Sequence, residues 1–384
     1  MSAGPSAAGG RVRVMHVINA MNLGGAEMVV LEHVRQAGPD IETHLCAVNE
    51  GGWAMQEAER LGARPLVLGK QGGRLGAIRR LAGYLRRERI DVVNGHNPSG
   101  GFYAALAGRL AGVPVIVRTE HSVRHPGKHS GIYDGLLEPV FTAMTHRVVC
   151  VCEAVRRSQV RRMRWASRRF VTVMNGIASA APADTRAATR AGLGLAADEF
   201  AIVTVASLTP AKAQHVLVEA FADVARQAPA ARLLFVGDGP LRSPLEAQVR
   251  SLGLERGVRF LGTRTDVRDL LAAADLYVLS SVREGLSMSI LEAMRAGRAA
   301  VVTDVGGNSE AVADGVNGRG VPPSDPRALG AALVAALSDR TRLESWGVAA
   351  RRRWEAEFTA SKMARDTEAL YRSELRRAGR LPAA

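Results

Sequence analysis

Short apolar runs alternate with amphipathic stretches from one end of this chain to the other. The runs Val12–Asn19, Thr43–Val48, Pro65–Leu68, Asp91–Asn94, Pro114–Arg118, Arg147–Cys152 and Phe170–Val173 read as strands of a first half. Ala201–Ala206, Arg232–Val236, Val258–Leu261, Leu276–Leu279 and Ala300–Thr303 read as strands of a second. Between them lie helical periods, such as Ala213–Gln227 with Val216, Leu217, Ala220, Phe221 and Val224 on one face. Strands that are apolar almost throughout, separated by helices, predict an α/β protein with doubly wound parallel sheets covered on both faces. The Ala, Pro, Asp and Gly of Ala178–Asp198 mark a boundary between two such domains, at 11–180 and 195–360. Residues 1–10 read as a flexible tail, and 361–384 as a helix packing back on the N-terminal domain.

Polar punctuation follows the strands. Gly24-Gly25-Ala26-Glu27, His96, His121, Lys212, Gly237-Asp238-Gly239-Pro240 and Val305-Gly306-Gly307 all fall at strand carboxyl ends. Open α/β sheets bind their ligands there. Two such sheets facing each other would gather these residues into one interdomain cleft. The strand Leu276–Leu279 runs into Ser280, Ser281 and Glu284, and a helix is expected from about Ser287 to Gly297, with Glu292 in its second turn. Free N–H groups at that helix start offer an anion site between two carboxylates. A nucleotide sugar has hydroxyls on either side of a diphosphate and suits such a pair. Two ordinary solvated glutamates would give the same spacing.

Composition narrows the field. With 384 residues, 47% hydrophobic and 23% charged, the chain is globular and long enough for more than one core. No apolar run reaches the ~18 residues of a membrane span. The N-terminus lacks the pattern of a signal peptide, and Cys46, Cys150 and Cys152 fit a reducing cytoplasm better than a disulfide framework. The net charge of +14 is uneven, with 24 Lys and Arg against 13 Asp and Glu in residues 1–178. Arg79-Arg80, Arg86-Arg87-Arg89, Arg156-Arg157, Arg161-Arg162-Arg164 and Arg168-Arg169 carry much of the excess. Nucleic acid is not expected, because neither aromatic interleaving nor a helix-turn-helix pattern accompanies the charge. A peripheral contact with an anionic membrane surface and plain solvated faces both remain open. Neither G-x-G-x-x-G nor G-x-x-x-x-G-K-[ST] occurs, so the dehydrogenase and P-loop classes lose their usual support.

The segment Glu284–Gly297, EGLSMSILEAMRAG, followed by Thr303–Glu310 and Asp314–Gly318, resembles the donor domain of retaining glycosyltransferases of family 4. Val236–Pro240, Phe260–Gly262, Asn175–Ile177 and Gly24–Glu27 match further motifs of that family, so the resemblance runs from about Val12 to Tyr371. It implies the GT-B fold, two Rossmann-like domains facing a cleft, and a retaining transfer from a nucleotide-sugar donor without a cofactor or metal. Glu284 would take donor sugar hydroxyls, Glu292 the ribose, and the backbone near Ser287 and Met288 the distal phosphate. Lys212 would neutralise the departing diphosphate. Gly24, Gly25, Ser207, Gly237, Gly262, Gly285 and Leu286 would complete the donor pocket.

His121 would stand beside the reacting hydroxyl, although a capping histidine at a strand end reads equally well from the residues. His96 reads as structural or acceptor-facing, and His125 and His129 are expected on the acceptor side. One departure matters: Ser207 stands where the family commonly has a phosphate-binding arginine, with Arg264 and Arg283 as candidate substitutes. The change from Gly to Ala213 after Lys212 reads as minor. The resemblance makes a UDP-sugar the first expectation and GDP-mannose the second. The expected acceptor is a glycan, a lipid-linked sugar or a natural product, and the expected location is the cytoplasm, at or near the inner membrane face. Rival readings are another GT-B enzyme, such as a nucleotide-sugar epimerase, or a non-catalytic scaffold.

Overall fold

The computed structural model describes residues 11–22, 24–69, 72–123, 137–179 and 186–382. The chain forms two compact units, one reaching to Ala178 and reclaiming the segment from Ala360 onward, the other spanning Ser179–Thr359. In the first unit β1 (Val12–Met21), β2 (Ile41–Gly51), β3 (Arg64–Val67), β4 (Val92–His96), β5 (Val115–Glu120), β6 (Arg147–Cys150) and β7 (Phe170–Thr172) form one sheet. In the second, β8 (Phe200–Val205), β9 (Ala231–Val236), β10 (Val258–Phe260), β11 (Leu276–Leu279), β12 (Ala300–Thr303) and β13 (Gly318–Val321) form another.

The sheet orders are β3-β2-β1-β4-β5-β6-β7 and β10-β9-β8-β11-β12-β13, with parallel ladders throughout. Each order reverses once, between β1 and β4 in the first sheet and between β8 and β11 in the second. Helices leave such a point on opposite faces, which opens a crevice at the strand carboxyl ends.

Alternation along the strands fills a core on each face of the first sheet and a large core against the second. Met15, Val17 and Val48 pack against Leu81, Leu85 and Ala104 on one side of the first sheet. Ile18, Leu45 and Ala47 pack against Val30, Leu31 and Met55 on the other. In the second unit Ile202, Leu233 and Phe235 meet Leu217, Phe221, Leu329 and Leu333. Each buried side chain of this size contributes about 1.5–3 kcal/mol.

The final helix, Ala360–Arg377, is held to the first unit by polar contacts as well as apolar ones. The Ala360 amide donates to the Ile177 carbonyl at 2.9 Å, Asn94 donates to the Tyr371 hydroxyl at 2.8 Å, and Arg147 pairs with Glu374 at 2.9 Å. Strand β13 has no counterpart among the runs read from sequence. Its residues, Gly-Arg-Gly-Val, lack an apolar alternation, and register with Ala300–Thr303 on one side is what makes them a strand.

Candidate functional site

In the second unit, the loop leaving β8 and the loop leaving β11 flank the reversal of strand order. Backbone and side-chain bonds sew them together. The Val282 amide donates to the Ala211 carbonyl at 3.0 Å, and Ser280 Oγ donates to the Lys212 carbonyl at 3.0 Å. This brings Lys212 Nζ to 2.5 Å from Glu284 Oε1. Ser281, fully buried, donates its hydroxyl to the same oxygen at 2.6 Å. Glu284 Oε2 has no partner among the described residues. One carboxylate oxygen is therefore fixed and the other is left open, the state of a group able to accept a ligand hydroxyl.

The loop after β12 clasps the Glu284 turn. Thr303 Oγ1 donates to the Ser281 carbonyl at 2.5 Å, and the Gly307 amide donates to the Gly285 carbonyl at 2.5 Å. Gly306 sits at φ +58°, and a Cβ there would lie 2.3 Å from the Glu284 carbonyl oxygen. A second glycine contact holds the Lys212 loop. Gly237, at φ +129°, donates to the Gly262 carbonyl at 2.8 Å, and a Cβ would meet the Ala206 carbonyl oxygen at 2.1 Å. Gly237 and Gly262 thus lie against each other, fixing the ends of β8, β9 and β10.

The helix after Glu284 runs Met288–Arg295, with Ser287 as its N-cap in an extended conformation. The Ser287 side chain does not cap it. Its hydroxyl bonds to Ser289 Oγ at 3.0 Å, which in turn bonds to the buried Tyr277 hydroxyl at 2.7 Å. The first-turn amides are left without a side-chain cap and face an anion-accepting end. Gly285, Leu286 and Ser287 are buried and Met288 is half-buried, while Glu292 is half-buried on the helix's second turn.

Ser207 is exposed, and its carbonyl accepts from Gln214 Nε2 at 2.9 Å. Of the two arginines considered in its place, Arg264 is engaged by both oxygens of Asp266, at 2.8 and 2.6 Å. Arg283 is half-buried and has no hydrogen bond or ion pair to any described residue. The change from Gly to Ala213 falls at a special backbone position. Ala213 adopts φ +47°, ψ +42°, the left-handed region a glycine would occupy without strain, at about 1–2 kcal/mol for an L-residue. Its methyl is buried, which returns roughly 0.8 kcal/mol, and alanine also restricts the unfolded chain by about 0.4–1 kcal/mol. These opposing effects nearly cancel, which accounts for alanine at this turn.

In the first unit, Gly24 N-caps the helix Gly25–Arg35 in extended backbone, and Gly25 is exposed. Nearby Glu27 is half-buried, and burial raises its carboxyl above the usual range. His96 ends β4 and His121 follows β5, and His96 Nδ1 lies 2.9 Å from His121 Nε2. His16 of β1 extends the row, its Nδ1 2.9 Å from His96 Nε2, and His33 stacks on His16 with ring centroids 5.6 Å apart. Burial lowers His16 and His121 to about 4 and His33 to about 3, and it holds His96 well below the usual imidazole range. His125 and His129 lie outside the described residues. His16 and His33 join this site without any local motif, and Ser281, named above only as a strand end, joins the other as a partner of Glu284. The available signal was a histidine inside an apolar strand, Val14-Met15-His16-Val17.

Among the described residues no group of three or more His, Cys, Asp or Glu side chains could hold a metal ion. Among them also no helix is long and apolar enough to cross a membrane.

Residues 185–353 match the family described as Glycosyl transferases group 1, and residues 23–180 match Glycosyltransferase Family 4. Together the two matches span most of the chain. The chain belongs to the family 4 glycosyltransferases, with the GT-B fold. The transferase is 27% identical over 265 residues to the UDP-Gal:alpha-D-GlcNAc-diphosphoundecaprenol alpha-1,3-galactosyltransferase of Escherichia coli, covering 67% of this chain and 68% of that protein. It is 29% identical over 378 residues to a glycogen synthase of Mycobacterium tuberculosis, covering 93% and 89%. In fold it resembles Anabaena HepE, solved in complex with UDP-glucose, with a TM-score of 0.84 at 21% identity over 94% of this transferase and all of that chain.

Proposed function

We propose that the transferase moves a sugar from a nucleotide-sugar donor, a UDP-sugar first and GDP-mannose second, to a sugar or lipid-linked sugar acceptor. The observation that carries this reading is the Lys212–Glu284–Ser281 arrangement at the strand-order reversal of the second unit, beside a helix start with no side-chain cap. Glu284 Oε2 accepts donor sugar hydroxyls, the Met288–Arg295 helix start takes the distal phosphate, and Glu292 takes the ribose hydroxyls. The names of the Escherichia coli and Anabaena relatives support uridine diphosphate, and the former supports a lipid-linked acceptor.

Lys212 supplies the charge that a divalent ion would otherwise bring to the leaving diphosphate, so the reaction is assigned without a metal. Arg283, lacking a hydrogen-bond or ion-pair partner among the described residues, takes the place of the arginine missing at Ser207. Transfer is assigned as retaining, with the departing phosphate helping to deprotonate the attacking hydroxyl, and His121 of the first unit is assigned to hydrogen bonding of the acceptor.

A screen of UDP-, GDP- and ADP-sugars, read by thermal shift and by nucleotide release, tests the reading. One UDP-sugar should stabilise the protein and turn over equally with and without EDTA. Glu292→Ala should sharply weaken stabilisation by free nucleotide, whereas Glu284→Ala should keep nucleotide binding and lose discrimination among sugars. Failure of every donor to bind would sink the proposal.

A membrane contact fits the same reading. Trp165 is 60% exposed in a turn, Arg164–Arg169, where Arg164 and Arg168 are also exposed, as is Arg161 near the end of the preceding helix. An indole among arginines suits a headgroup layer, where each cation adds about 1 kcal/mol. The protein should sediment with phosphatidylserine vesicles, release at high salt, and bind roughly tenfold less as Trp165→Ser. Equal binding to neutral vesicles would count against this surface.

A further inference from the structure

His16, His96 and His121 stand on three adjacent strands or their ends. His16 pairs in register with Asn94 and His96 with Thr119, and each next histidine lies two residues beyond that register partner. The stagger puts all three rings on one face of the sheet. The rings tilt by 33° and 31° with centroids 5.2 Å apart, and both N···N separations are 2.9 Å. Burial keeps the rings neutral, so each carries one N–H and one lone pair.

That count restricts the row to two states. If His16 Nδ1–H donates to His96 Nε2, then His96 Nδ1–H donates to His121 Nε2, and the His121 proton must also sit on Nδ1. If instead His121 Nε2–H donates to His96 Nδ1, then His96 Nε2–H donates to His16 Nδ1, and all three protons sit on Nε2. Any mixed arrangement sets two lone pairs or two protons against each other and loses a ring-to-ring hydrogen bond, which is costly for the buried His16 and His96. The three rings therefore share one tautomer. Whatever bias each ring has is multiplied, and a lone neutral histidine favours the proton on Nε2.

We propose that His16, His96 and His121 form a single tautomer-coupled array, in which His96 and His16 are positioning residues that keep the His121 Nδ1 lone pair free to accept the hydrogen bond of the acceptor hydroxyl. His121 Nδ1 has no partner among the described residues, which leaves it open to that role. The acceptor half of this inference rests on the transferase reading; the shared tautomer does not.

The test is ¹⁵N-histidine NMR of the whole protein, with transfer assays alongside. In the wild type, His16, His96 and His121 should all show a protonated Nε2 and an unprotonated Nδ1. His96→Phe should let His121 populate both tautomers and lower kcat by about tenfold to a hundredfold, with the donor KM unchanged. His96→Gln should preserve the His121 tautomer and most of kcat, because its amide oxygen can accept from His121 while its NH₂ donates to His16. Differing or mixed tautomers in the wild type would overturn the array, as would a folded His96→Phe with the His121 spectrum unchanged. The wild-type spectrum decides the coupling even if His96→Phe does not fold. Failure of the donor screen would leave these spectra standing and strike only the transferase reading.

Discussion

Lys212→Ala is expected to slow sugar transfer by about 10²–10³-fold, the usual loss when one preorganised group facing developing charge is removed. The reason is positional. Lys212 follows β8 and Glu284 follows β11, the two strands that flank the reversal of sheet order, and the 2.5 Å pair holds the ammonium there before any ligand arrives. As the sugar departs, the diphosphate gains charge, and Lys212 can turn from the carboxylate toward it. Removing the ammonium also leaves Glu284 with Ser281 as its partner and with an uncompensated charge beside an incoming anion. Nucleotide affinity should fall as well, but by less than kcat. The pair is partly exposed, with side-chain exposures of 21% and 10%, so the stability cost should stay near 1–3 kcal/mol. Steady-state transfer rates and thermal melts measure the two effects separately. A rate close to wild type would remove Lys212 from the chemistry.

Gly306→Ala is expected to destabilise the second unit by roughly 3 kcal/mol or more. At φ +58° any L-residue is strained, and here the added methyl would also stand 2.3 Å from the Glu284 carbonyl oxygen and 2.8 Å from that of Gly285. Neither is the end of a flexible side chain, so backbone must move. The displaced segment is the one that presents Glu284, and activity should fall with stability. Gly315→Ala provides the control. That glycine has φ +73° with nothing within 4 Å of the added carbon, so it should show the conformational strain alone, near 1 kcal/mol. Denaturant unfolding of both variants isolates the contact with the Glu284 turn, and equal losses would show that the clasp tolerates the methyl.

Much of this was legible from the chain. Most of the twelve strands read from the chain announce themselves because parallel strands covered on both faces must be apolar nearly throughout, the exposed edge strand β3 being the exception, and the Ser280–Glu292 segment marks a strand, a turn and a helix by residue type alone. Strand β13 stayed hidden because Gly318–Val321 contributes almost no apolar signal of its own. The left-handed turn at Ala213 was hidden for a related reason: alanine gives no warning of positive φ. His16 and His33 were invisible as a group because nothing in local spacing relates residues on β1, β4 and the helix Gly25–Arg35. The sharing of one Glu284 oxygen by Lys212 and Ser281 depends on loops joined across 72 residues of sequence, a distance no motif spans.

Titration calorimetry with UDP, comparing the wild type with Glu292→Ala, tests the central claim most directly, because it asks whether the second unit holds a nucleotide through its second glutamate without requiring an acceptor. A nucleotide site built on Glu292 predicts saturable one-site binding to the wild type and a loss of at least about tenfold in affinity for Glu292→Ala, as expected when charge-assisted hydrogen bonds to ribose are removed. Undiminished UDP affinity in a folded Glu292→Ala would contradict it.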